Sequence, residues 1–135
     1  MLVQIQRESR KPISFSWRDS LRDELEDIIR DCTNAGWDGY DAEPVSTESA
    51  IGAMQLIGAL PEYLCSPNVV PEPSGDISLE WRMGDQKHFS VSVSGASLVY
   101  AGVFGGSYKE YGEERFFGVL PQTILGILTR YFAEA

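Results

Sequence analysis

The chain has 135 residues, enough for one domain with a single hydrophobic core, and its 43% hydrophobic and 11% aromatic residues exclude disordered and fibrous classes. Its formal charge of −9 is uneven: residues 1–18 carry Arg7, Arg10, Lys11 and Arg18 against Glu8, a balance of +3 that leaves −12 on the rest. Such a distribution repels nucleic acid and anionic membrane and favours cationic partners, and the basic start is too short and mixed for a nucleic-acid arm.

Met1 to Gln6 is broken by Gln4 and Gln6, so no secretory leader is expected, nor is there an apolar run near the roughly 20 residues of a membrane helix. The expected location is the cytosol. Cys32 and Cys65 fit no Cys-x-x-Cys spacing, and reduced thiols are the expected state, with a disulfide between them left open.

Leu2–Gln6 and Ile13–Trp17 alternate apolar and polar residues, the period of half-buried strands, so residues 1–18 read as N-terminal strands or an arm. From about Asp19 the period becomes helical: Leu21, Leu25, Ile28, Ile29 and Cys32 share one side, with Asp23, Glu24, Glu26 and Asp27 opposite. Acids early in this helix suit its dipole, and Gly36 is placed to end it in the left-handed conformation. A second helix begins at Ser46 or Thr47, behind Pro44, and ends before Pro61. Its Ala50, Gly52, Ala53, Gly58 and Ala59 suit close packing on another element.

Residues 65–75, with Pro67, Pro71, Pro73 and Gly75, read as an irregular connection. Three alternating strands follow, through Ile77/Leu79/Trp81, Phe89/Val91/Val93 and Leu98/Tyr100/Phe104, joined by turns at Gly84-Asp85 and Gly95-Ala96. Links this short make an antiparallel meander whose outer face carries Ser78, Glu80, Arg82, His88, Ser90 and Ser92. Residues 105–115 read as a mobile Gly-, Tyr- and Glu-rich loop, Phe116, Phe117 and Val119 as a return strand, and Pro121 as the opening of a final buried helix. The expected fold is a single α+β domain over residues 1–135, an antiparallel sheet of four to five strands with three helices on one face, in the order (β)βααβββ(β)α.

The densest feature is acidic: residues 19–48 hold ten Asp/Glu and two Arg, with Gly36-Trp37-Asp38-Gly39-Tyr40 inside that block. Such a run is either a solvated helix face or a docking surface for a basic partner, with mimicry of nucleic-acid charge as one form of the latter. In the 37–44 segment Asp38, Asp41 and Glu43 offer oxygen ligands, but the order fails the calcium-loop pattern. Either Asp38-Gly39 makes a turn while Trp37 and Tyr40 anchor the link in the core, or the loop presents an aromatic to a partner.

His88 is the one histidine, so any catalytic triad or histidine-zinc site depends on it. Glu80 and Arg82 beside it read as a cross-strand charge pair on a solvated face, and a Glu80/His88 acid–base couple is the alternative. Gly102-Val103-Phe104-Gly105-Gly106-Ser107-Tyr108-Lys109 lacks the order of a phosphate loop and leads into Glu110, Glu113 and Glu114. With Tyr108 and Tyr111 it reads as a flexible contact surface.

At Gly36-Trp37-Asp38-Gly39-Tyr40, Pro44-Val45-Ser46, Leu60-Pro61 and Gly75-Asp76-Ile77-Ser78-Leu79-Glu80-Trp81, the chain resembles a family of small uncharacterised bacterial proteins, over roughly residues 30–100. The resemblance implies a bacterial, intracellular, single-domain protein and transfers no catalytic residue.

The expected function is that of a non-enzymatic acidic interaction domain of inhibitor, antitoxin or immunity type, without cofactor or metal. Its expected partner is a basic protein, bound through Asp23, Glu24, Glu26, Asp27, Trp37, Asp38, Tyr40, Asp41, Glu43, Tyr108 and Tyr111, with no direct nucleic-acid or membrane contact. Homo-oligomerisation stays open. The alternatives are a small acid/base hydrolase or metal-dependent enzyme using some of Asp38, Asp41, Glu43, Glu80 and His88, and a structural subunit that docks by a sheet edge.

Overall fold

The computed structural model describes residues 16–134, so the expected strand at Leu2–Gln6 lies outside the described residues. Trp17, expected to end a strand, instead starts helix α1 (Trp17–Asp31). Ser16 takes the extended N-cap conformation, and Asp19 reaches back to accept its N–H at 3.2 Å. A Ser-x-x-Asp cap thus places Trp17 in the helix, and the rest of the expected strand, Ile13–Phe15, lies outside the described residues. Arg18 then ties α1 to the end of the next helix, its guanidinium 3.4 Å from Gly58 O, 3.3 Å from Leu60 O and 2.8 Å from Glu62 Oε1.

Leu21, Leu25 and Cys32 form the buried stripe of α1. The helix ends at Cys32, whose N–H donates to Ile28 O at 2.9 Å. Gly36 does not terminate it. Its left-handed φ of +75° serves the turn that follows. Both cysteines are free, and burial, helped by the charge of Asp31, pushes the Cys32 thiol upward.

Helix α2 (Thr47–Ala59) is capped as expected, Ser46 Oγ accepting the Ser49 N–H at 3.2 Å. Its small residues do bring it onto the sheet: a Cβ on Gly52 would stand 2.8 Å from Val93 Cγ1. Beside it the buried Ser49 hydroxyl donates to Asp76 Oδ1 at 3.2 Å and accepts the Gly95 N–H at 3.1 Å.

The sheet is a five-strand antiparallel meander in chain order: β1 (Asn68–Pro71), β2 (Ile77–Met83), β3 (Lys87–Ser94), β4 (Ser97–Phe104) and β5 (Lys109–Arg115). The three central strands lie where the alternation puts them. The two edge strands correct the reading of residues 65–75 and 105–115 as loops. Val69 pairs with Leu79 and Pro71 with Ile77, while Tyr100 pairs with Gly112 and Ala101 with Tyr111. Phe116, Phe117 and Val119 form no strand. The Phe116 N–H bonds to Ala96 O at 2.8 Å and its ring is buried, while Phe117 and Val119 are exposed.

Helix α3 (Gln122–Phe132), with Pro121 as N-cap, buries Ile124, Ile127, Leu128 and Phe132. The core joins Leu21 and Leu25 of α1, Leu56 and Ile57 of α2 and these α3 residues to the inner face of the sheet, centred on Trp81, Phe89 and Val91. The outer face carries the six polar residues the alternation assigns to it. Among them Ser78 is only 4% exposed, next to Ser92, whose hydroxyl donates to the Glu72 carboxylate.

Candidate functional site

Asp23, Glu24, Glu26 and Asp27 lie on α1 away from its buried stripe, with Glu24 and Glu26 among its exposed positions. Asp27 and Asp31 share Arg30, at 3.0 and 3.4 Å, and the bond to Asp27 is the main reason the Arg30 pKa is raised. Asp23, Glu24 and Glu26 have no ion pair among the described residues. This side of the helix therefore keeps a surplus of hydrated carboxylates, whose field is only partly offset locally.

The chain then folds into a turn built by Asp38. Its Oδ1 accepts the N–H groups of Tyr40 at 2.9 Å and Ala42 at 3.3 Å, the side-chain turn that short acids favour. Gly36 N–H donates to Ala42 O at 2.7 Å, and Trp37 Nε1–H to Glu43 O at 2.7 Å. Two further bonds fasten the loop to the body: Val45 N–H to Cys32 O at 2.9 Å, and Glu43 N–H to Pro73 O at 2.8 Å.

These bonds set the fate of each residue assigned here from sequence. Asp38 is spent on the turn. Ala42 is buried, Trp37 is half-buried, and Tyr40 stands 83% exposed, flanked by exposed Asp41. Tyr40 is thus not the core anchor that a purely structural link would use. Because Val45 is bonded to Cys32, the loop folds back to the C-terminal end of α1. No group of three or more His, Cys, Asp or Glu side chains among the described residues is arranged to hold a metal ion.

The other assigned residues lie elsewhere. Glu80 and Arg82 are on the same strand, two positions apart, so they form no cross-strand pair. Glu80 faces Ser90 and Arg82 faces His88. Glu80 and His88 therefore stand diagonally and not opposite one another. His88, Ser90, Ala101, Val103, Lys109 and Tyr111 line a shallow hollow of about 290 Å³ on the outer face of the sheet.

Tyr108 closes the β4–β5 connection, its ring 6.0 Å from that of Phe104. Its hydroxyl donates to Glu110 at 3.1 Å, which raises its pKa. Tyr111, on the outer face of β5, is 83% exposed. The two tyrosines thus belong to an edge strand and its turn, and not to the mobile loop expected of residues 105–115.

Sequence reasoning missed Lys109, Glu113 and Arg115 as members of that edge. Lys109 to Arg115 is polar throughout, so the alternation that reveals a half-buried strand gave no signal there. Compared with protein-family models, curated proteins and solved structures, the chain has no significant match, and its functional reading rests on its own geometry.

Proposed function

We propose that this protein is a non-enzymatic interaction domain that docks a basic protein partner on the acidic side of α1 and the adjoining 37–43 loop. The observation that carries this reading is Tyr40, held 83% exposed by a hydrogen-bonded turn beside carboxylates without basic partners. A large apolar ring in water gains most from being covered. On a turn already ordered by its own bonds, covering it costs little further entropy. The exposed acids of α1 and of the loop, Asp23, Glu24, Glu26, Asp41 and Glu43, supply long-range attraction for a cationic surface, and Tyr40 supplies the aromatic anchor. Inhibitor, antitoxin and immunity-type roles share this design, in which a small acidic domain covers a basic functional surface on another protein.

The test is affinity capture of the tagged full chain from its host, beside a D23N/E24Q/E26Q/D27N variant, with washes at low and high salt. A basic protein retained in stoichiometric amount by the wild type, lost at high salt and lost from the variant, is the expected outcome, because exposed charges are screened over about 8 Å at physiological ionic strength. Equal retention by wild type and variant, or no retained protein, would contradict the reading.

A further inference from the structure

The sheet has a free edge at β5. Among the described residues no strand pairs with its outer side, and its seven residues contrast with the four of β1, which ends on Pro71. Phe104 N–H donates to Tyr108 O at 3.1 Å and Phe116 N–H to Ala96 O at 2.8 Å, which fixes the phase of the ladder. The even-numbered residues of β5 bond to β4, and Lys109, Tyr111, Glu113 and Arg115 turn their N–H and C=O groups outward. The side chains of these same residues lie on the outer face with Ser90 and Ala101.

We propose that two copies of this chain pair antiparallel along β5, with Tyr111 opposite the partner's Tyr111, making one continuous sheet across the dyad. Charge selects this register. It sets Lys109 against the partner's Glu113 twice over, joins the two exposed Tyr111 rings on one face, and puts Gly112 opposite the partner's Glu110. A dyad at Gly112 opposes Lys109 to the partner's Arg115 and Glu110 to the partner's Glu114. Dyads at Glu110 or Glu113 oppose identical carboxylates. Registers that pair odd with even residues mismatch the outward backbone groups. The charges on this edge, which commonly block pairing, here admit one self-complementary alignment, as an isologous two-fold interface requires.

Sedimentation equilibrium of the full chain at rising concentration tests this. The wild type is expected to show a monomer–dimer equilibrium. K109E and E113K alone each convert two attractive pairs into repulsive ones and are expected to weaken it by about tenfold or more. An equimolar mixture of K109E and E113K restores complementarity and is expected to regain dimer. Tyr111→Pro removes an N–H that faces away from β4, so it is expected to be monomeric with an unchanged circular dichroism spectrum. A wild type that stays monomeric throughout, single variants that dimerise like wild type, or a mixture that gains nothing over its components would each overturn the proposal.

Discussion

Phe89→Ala is expected to cost about 3–5 kcal/mol of folding free energy, a large part of the roughly 5–15 kcal/mol that holds a domain together. Phe89 is fully buried on β3, with ring centroids of Trp81, Tyr100 and Phe104 at 6.1, 6.0 and 6.0 Å. Removing it forfeits the burial of one ring and opens a cavity against three others. Those neighbours are themselves pinned: Trp81 Nε1–H donates to Cys65 O at 2.9 Å, and Phe104 stacks on Tyr131 at 4.2 Å. The cluster therefore has little freedom to collapse into the space, which places the expected loss toward the upper end. Urea denaturation of wild type, Phe89→Ala and Phe89→Leu measures it, with the leucine variant losing less because it refills part of the volume. A loss under about 1 kcal/mol for alanine would show that this cluster is not the centre of the core.

Gly75→Ala is expected to lose about 2–4 kcal/mol. The residue sits at φ +92°, where an L side chain is strained, and its Cβ would stand 2.7 Å from the backbone oxygen of Pro44. That backbone cannot retreat freely. Gly75 O accepts the N–H of Ser46, the cap of α2, at 2.8 Å, and Glu43 N–H is fastened to Pro73 O in the same turn. Gly84 is the control: its φ is +66°, and a methyl group there would meet nothing within 4 Å, so Gly84→Ala is expected to show only the conformational cost, about 1–2 kcal/mol. Equal effects at the two positions, measured by thermal and urea unfolding, would mean that the contact between residues 43–46 and the β1–β2 turn contributes nothing.

The central meander was legible because Ile77 to Trp81, Phe89 to Val93 and Leu98 to Tyr100 each bury one face of a strand, and alternation records that directly. The same argument made β1 and β5 invisible. Val69-Val70-Pro71 is short and proline-flanked, and Lys109 to Arg115 has no apolar period, since an edge strand beyond the helices buries little. At the N-terminal boundary the Ile13/Phe15/Trp17 alternation misled at Trp17, where the Ser16–Asp19 cap begins α1. In the candidate site, the acids of α1 could be assigned to one face by helical spacing. Whether Tyr40 pointed in or out could not, because a turn has no period. Its direction follows from the bonds that Asp38 makes to residues 40 and 42.

The docking surface is tested most directly by placing a photo-crosslinking amino acid at position 40 and irradiating the full chain in its host. The expected result is one dominant adduct with a basic protein, strongly reduced when Asp23, Glu24, Glu26 and Asp27 are neutralised and undiminished when the crosslinker-bearing chain also carries Tyr111→Pro. The absence of an adduct, or an adduct that the neutralised chain forms equally well, would contradict the assignment of α1 and the Tyr40 loop as the surface that binds the partner.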